Sequence, residues 1–246
     1  MTVDVRRAAE RFVTQVDGVE QRHCFSFGEH YDPDNVGHGP LLVSNDELLG
    51  SGAGFDDHPH ADAEIVTWVL SGSLVHEDST GHRGVVYPGL AQRMSAGRGI
   101  VHAERNDAVH GAAARHDVDP TVPGVHYIQM WVRPDESGTE PSYAQREVDL
   151  GDLATAWVPV VSGHDRDAAV SLGARDCTLW ATVLTAGAAR LLPAAPLAHL
   201  YLARGELELE TVGTLRAGDS VRLTGEAALR ATTSSDAELL VWQLGR

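Results

Sequence analysis

Cysteine is nearly missing from this 246-residue chain: only Cys24 and Cys177 are present. Two thiols cannot build a disulfide framework, and a reduced, cytoplasmic setting suits them. Neither has an adjacent His/Asp arrangement to activate it, which disfavours nucleophilic catalysis. Basic residues are also scarce, 19 against 35 acidic ones, for a formal net charge of −16 at pH 7. Nucleic-acid binding needs a Lys/Arg surplus on at least one face, so that class is set aside. No apolar run approaches the ~18–20 residues of a membrane-spanning helix. The opening Met1-Thr2-Val3-Asp4-Val5-Arg6 lacks the apolar stretch of a signal peptide. A Gly-rich phosphate loop, a GxSxG elbow and heptads are missing too. What remains is an acidic globular protein, 43% apolar and therefore able to build a core.

Helical periodicity is sparse. Residues 5–13 read as helix or edge strand, and residues 149–156 as a short helical turn. Elsewhere, 25 glycines and 11 prolines fall mostly between short apolar segments. Strand patterns occur at 64–70 (EIVTWVL), 73–76, 125–133 (VHYIQMWVR), 157–161, 179–185, 199–203, 206–211, 220–223 and 238–244. Many short strands with frequent Gly/Pro turns predict an all-β barrel or sandwich.

One β-unit occurs twice. Trp-Val-Leu-Ser-Gly72-Ser-Leu-Val-His followed by Pro88-Gly89 matches Tyr-Leu-Ala-Arg-Gly205-Glu-Leu-Glu-Leu followed by Ala217-Gly218. The expected organisation is therefore two tandem β-barrels. Residues 1–133 would form the first and 149–246 the second. The polar segment 134–148 (two prolines lie in 133–146) would link them.

Histidine is abundant, with 13 in all and eight of them between His58 and His126. Neutral imidazole is the commonest metal ligand. In Gly52-Ala-Gly-Phe-Asp-Asp-His58-Pro-His60-Ala-Asp-Ala-Glu64, a strand would send His58 and His60 to one face, because side chains alternate with period two. His102-Ala-Glu104 repeats that logic. Together the pairs offer three nitrogens and one carboxylate, a mixed set suited to Fe(II), Mn, Ni, Cu or Co. A closed structural zinc site usually takes thiolates, and the two cysteines are far apart. The repeat places Leu191, Pro193, Ala231 and Thr233 opposite the four candidates, so only the N-terminal barrel is expected to carry a site.

These residues resemble the cupin pattern and, more narrowly, a pirin-family bicupin. The resemblance rests on Phe25-Ser-Phe-Gly-Glu-His-Tyr31, Gly54-Phe-Asp-Asp-His58-Pro-His60, Glu64-Ile-Val-Thr-Trp-Val-Leu-Ser-Gly72, His76-Glu-Asp-Ser79, Ser95-Ala-Gly-Arg-Gly-Ile-Val-His102-Ala-Glu104 and Gln129-Met-Trp-Val132. It covers the first half densely and the second in outline. It implies two jelly-roll-like cupin barrels and one mononuclear divalent metal held by His58, His60, His102 and Glu104. Fe(II) is first choice, with Mn, Cu, Ni, Co or Zn as alternatives. The general cupin pattern would make Glu64 the carboxylate ligand, whereas pirins place it two residues after the last histidine. The resemblance therefore favours Glu104 and leaves Glu64 beside the ligands or at a strand edge. Ala103 stands where relatives often have Ser. Residues 106–123 look longer than in relatives, and His110 and His116 there are expected in a solvent loop or site lid.

The remaining candidates receive plain readings. His76 and His82 flank an acidic turn and are expected to be solvated. His126 is expected to hydrogen-bond near the barrel interior, and Arg98 to cap a turn. The implied activity is opening of a flavonol such as quercetin by O2 with release of CO, Glu104 acting as general base. The alternative is an iron-binding regulatory protein that docks a protein partner. A monomer without nucleic-acid or membrane partners is expected.

Overall fold

The structure is a computed structural model that describes residues 1–106, 124–225 and 228–245. The segment with His110 and His116, expected as a solvent loop or site lid, lies outside the described residues.

The chain divides into two compact units. One comprises Phe12–Val36 and Leu42–Glu147; the other comprises Met1–Arg11, Gly37–Leu41 and Val148–Arg246. The first contains β2 (Phe12–Val16), β3 (Val19–His23), β4 (Leu41–Gly50), β5 (Gly54–His60), β6 (Glu64–Ser71) and β7 (Leu74–Asp78). It continues with β8 (Arg83–Val86), β9 (Leu90–Ser95), β10 (Ile100–Asn106), β11 (Gly124–Val132) and β12 (Ser142–Glu147). The second begins with β1 (Thr2–Arg6) and resumes with the helix α1 (Leu150–Thr155). Its later strands are β13 (Val158–Ser162), β14 (Val170–Ser171), β15 (Cys177–Leu184), β16 (Ala189–Leu191) and β17 (Leu197–Arg204). It closes with β18 (Glu206–Leu209), β19 (Gly213–Arg216), β20 (Ser220–Thr224), β21 (Arg230–Thr232) and β22 (Ala237–Leu244).

Each unit combines a seven-stranded and a four-stranded sheet. The N-terminal unit orders them β12-β9-β6-β11-β4-β3-β2 and β5-β10-β7-β8; the C-terminal unit has β1-β20-β17-β22-β15-β13-β14 and β16-β21-β18-β19. The two patterns correspond in order, with β1 in the place of β12 and with the edge pair β13–β14 parallel where β3–β2 is antiparallel. This is the internal repeat seen in three dimensions.

Residue chemistry explains the central positions. In β6, EIVTWVLS is buried at every residue but the last. Its β-branched and aromatic side chains suit a strand covered on both faces. In β18, Glu-Leu-Glu-Leu alternates exposed and buried as a one-sided strand should. Gly72 and Gly205 turn the chain at matching places with φ of 75° and 83°. A Cβ at either would overlap a backbone carbonyl, that of Gly124 or Asp236, so both chirality and space require glycine.

The cores differ in kind. The C-terminal unit closes its two sheets over one apolar cluster that includes Leu200, Leu207, Leu209, Leu215, Ala231 and Val241. Among the described residues, the N-terminal unit has smaller clusters around Leu49, Val69, Leu74 and Tyr127 and around Ile65, Met94 and Ile100. Buried polar side chains including Glu47, His76, His102, Glu104 and Gln129 occupy the rest of its interior.

Two expectations about boundaries change. Residues 2–6 form β1 and pair with β20, so they complete the C-terminal unit rather than the first barrel. The segment expected as a linker contains β12, which pairs with β9 through Ser142↔Ser95 to Glu147↔Leu90. Its polar composition reflects an edge strand with one wet face. Residues 5–13 contain strand ends and a short 3-10 turn (Ala8–Glu10). The helical turn at 149–156 is present as α1, capped by Asp149 accepting from the Gly151 N–H at 2.8 Å.

Candidate metal centre

Antiparallel pairing of β5 with β10 places His58 directly opposite His102 and His60 opposite Ile100. The ring centroids lie 4.4 Å apart for His58–His102, 4.8 Å for His58–His60 and 4.9 Å for His60–His102. One donor nitrogen from each lies within 4.8 Å of the others. The i,i+2 spacing of His58 and His60 thus does what strand geometry requires.

These nitrogens suit a metal. Nε2 of His60 and of His102 are buried without a hydrogen-bond partner. His58 Nδ1 sits 2.7 Å from the Asp56 carbonyl, the contact that fixes a ligand tautomer and leaves Nε2 bare. Burial first, then repulsion from neighbouring imidazoles, lowers His60 to about 4 and His102 to about 2. Both are therefore neutral at physiological pH, the form that binds metals.

Glu104 is displaced from this trio. The β5–β10 register shifts between His102 and Glu104, and Glu104 opposes His76 across β7. His76, His102 and Glu104 form a second group whose donor atoms lie within 4.8 Å, so His102 belongs to both groups. Glu104 is buried and accepts from Gln129 Nε2 at 2.8 and 3.1 Å. Burial pushes its carboxyl up to about 7, the Gln129 bond acting in the opposite sense. Trp131 Nε1 donates to Gln129 Oε1 at 3.0 Å, and the Trp131 ring stands edge-on to His60 at 4.7 Å. Phe27 meets Trp131 edge-on at 5.5 Å.

His76 overturns its reading as a solvated residue: it is fully buried, beside β10 and stacked on Tyr143 at 5.0 Å. Its acidic sequence neighbourhood concealed a barrel-facing position. The available signal was alternation, since His76-Glu-Asp78 is a third i,i+2 pair of potential ligands. His82 is half-exposed, as expected. Glu64 is buried on β6, opposite Ser95 and Val132, outside both groups. His126 Nε2 meets Asp46 at 2.6 Å, and Arg98 forms an exposed ion pair with Glu140 at 2.7 Å. Cys24 and Cys177 are buried and form no disulfide.

An apolar depression of about 620 Å³ around Val16, Leu48 and Leu49 contains none of the candidate ligands. A shallower one of about 450 Å³ reaches His60, with Ser79, Gly99 and Val101 on its rim. Chemistry therefore locates the site better than cavity size does. In the C-terminal unit, Arg190 opposes Ala231 across β16–β21 and Leu209 opposes Ala231 across β18–β21.

Known proteins resemble this chain over nearly its whole length. The Pirin family model matches residues 3–132, and that of the quercetinase C-terminal cupin domain matches residues 156–244. The sequence is 48% identical over 244 residues to a Mycobacterium tuberculosis protein provisionally named a quercetin 2,3-dioxygenase, covering 99% of this chain and 95% of that one. It is 31% identical over 242 residues to the quercetin 2,3-dioxygenase of Escherichia coli, covering 98% and 97% of the two chains. The crystal structure of the Escherichia coli bacterial pirin YhhW in complex with nickel(II) aligns with a TM-score of 0.85 and 29% identity over 99% of both chains.

Proposed function

Since the chain belongs to the pirin family, a bicupin fold, we propose that it is a metal-dependent dioxygenase acting on flavonols such as quercetin. The overall reaction takes up one O2, cleaves the central ring, and releases CO and the depside ester. The observation that carries this reading is the trio His58, His60 and His102, with the Nε2 atoms of His60 and His102 buried and without a hydrogen-bond partner, beside the buried carboxyl of Glu104.

These four residues would hold one divalent transition metal, with Fe(II) first among the ions that accept a mixed N/O set. When bound, the ion supplies Lewis acidity toward an enolic oxygen and the redox chemistry with O2. The rest falls to the chain. Glu104 accepts the flavonol 3-hydroxyl proton on a carboxylate oxygen. Gln129 holds that carboxylate in place and is itself held by Trp131. The Trp131 and Phe27 rings offer apolar surface to a planar aromatic ligand. The buried strands around His102 and Glu104 keep water from the proton-transfer site.

The test is quercetin-dependent O2 uptake and CO release by protein loaded separately with Fe(II), Ni(II), Co(II), Mn(II) or Cu(II), beside a His58→Ala variant. Turnover that disappears in the variant supports the reading. Failure of every loaded form to consume O2 overturns it.

A further inference from the structure

We propose that Asp78 and His76 form a positioning pair that fixes the tautomer of His102, keeping its Nε2 free of a proton and open to a metal. The inference rests on the metal-site reading above and extends it to two residues that the reading does not use.

The geometry is a chain of contacts across the β7–β10 ladder, where Asp78 opposes His102 and His76 opposes Glu104. His76 Nε2 lies 3.3 Å from Asp78 Oδ2, and both side chains are fully buried. The other ring nitrogen, His76 Nδ1, lies 3.4 Å from His102 Nδ1.

Proton counting then fixes the arrangement. A carboxylate only accepts hydrogen bonds, so His76 Nε2 must carry the proton that it donates to Asp78. A neutral imidazole has one such proton, which makes His76 Nδ1 an acceptor. His102 must therefore donate from its own Nδ1, and its Nε2 is left with a lone pair. That is the atom found buried and without a partner. Burial lowers both histidines, consistent with neutral rings. Burial would raise Asp78, but the bonds it receives from Thr80, His82 and His76 outweigh this and keep it ionised.

The C-terminal unit supplies a natural contrast. There β18 carries the buried Leu207 and Leu209 in place of a histidine and an aspartate, and Leu209 opposes Ala231. The polar pair is absent from the barrel that lacks the ligand.

The turn after β7 makes the test clean. Asp78 Oδ1 accepts from the Thr80 N–H at 2.9 Å, the Thr80 hydroxyl at 2.6 Å and the His82 N–H at 3.2 Å. In Asp78→Asn these three donors hold the amide oxygen in that position, so the new NH2 faces His76. His76 Nε2 must then accept, its Nδ1 becomes the donor, and His102 is driven to the Nε2–H tautomer that cannot ligate.

The experiment has two readouts. Imidazole 15N NMR of the metal-free protein should show His102 protonated at Nδ1 in the wild type and at Nε2 in Asp78→Asn. Co(II) titration should show affinity reduced about 10–100-fold, the range for loss of a ligand's supporting partner. An unchanged tautomer, or unchanged Co(II) affinity in a folded variant, overturns the proposal. His76→Phe keeps a ring against Tyr143 but removes the acceptor; it carries the same affinity expectation should Asp78→Asn fail to fold. A wild type that binds none of Co(II), Ni(II) or Fe(II) defeats the metal reading, while the tautomer in the metal-free protein still decides the role of Asp78.

Discussion

Gln129 and Glu104 are joined through a single nitrogen: Gln129 Nε2 donates to both oxygens of the Glu104 carboxylate, at 2.8 and 3.1 Å. The other end of the same amide accepts from Trp131, which touches His60. Trp131, Gln129 and Glu104 therefore form one polar chain linking the two groups of candidate ligands.

Cutting that chain should loosen Glu104 without removing a ligand. Gln129→Leu is expected to reduce quercetin turnover about 10–100-fold, as for other partners that orient ligands. Steady-state O2 uptake of the metal-loaded variant, compared at matched metal content, checks this.

Loss of a ligand should cost more than loss of its partner. His58→Ala and His102→Ala are expected to purify with well under one metal per chain and to lose quercetin-dependent O2 uptake. Elemental analysis and far-UV circular dichroism together distinguish this outcome from unfolding. Stoichiometric metal in both variants would place the ion elsewhere.

Glu47 predicts a pH dependence of stability. Burial raises its carboxyl to about 8 from the ordinary 4.5, with a bond from Gln21 acting in the opposite sense. Between those values the folded chain retains a proton that the unfolded chain releases, so stability falls with rising pH. The contribution is complete below about pH 4.5 and gone above about pH 8. Thermal melts of the metal-free protein should show a melting temperature that decreases from about pH 7 to pH 8, above the range in which His60 and His102, lowered in the folded chain, act in the opposite sense. Glu47→Gln should flatten that slope and melt several degrees higher than wild type at pH 8.

The paired glycine turns predict parallel effects in the two units. Gly72→Ala and Gly205→Ala each force a side chain into positive φ and against a neighbouring carbonyl. Each is expected to destabilise by more than about 1 kcal/mol, the usual scale for Ala at such a site. Chemical denaturation read through the midpoint checks both.

The strands that were legible in sequence are those whose apolar runs end at Gly turns. All nine segments singled out, from 64–70 to 238–244, overlap strands, because each is buried by close neighbours in its sheet. The His58/His60 pair was legible for a related reason, since period-two geometry is local. What was hidden is non-local. His76 is buried by β10 and by Tyr143, which lies 67 positions further along the sequence. Glu104 shares His102 with the trio, and the β-bulge after His102 also sets it opposite His76, a neighbour that only the β7–β10 pairing reveals. Residues 2–6 and 142–147 read as weak or polar because each is an edge strand, paired on one side only. The apolar filling of the C-terminal barrel was visible through the repeat, as ligand positions occupied by Leu and Ala.

The pairing of β1 with β20 also has a meaning in time. Arg6 and Ser220 are separated by more than two hundred residues of chain. At translation speeds of ~5–20 residues per second, β1 waits on the order of ten to forty seconds for its neighbour to be made. The N-terminal unit faces no such delay, because its own edge strand β12 follows β9 by only about fifty positions. The barrel carrying the candidate ligands can therefore close during synthesis, whereas the apolar barrel closes last and holds both the earliest and the latest strands of the described chain.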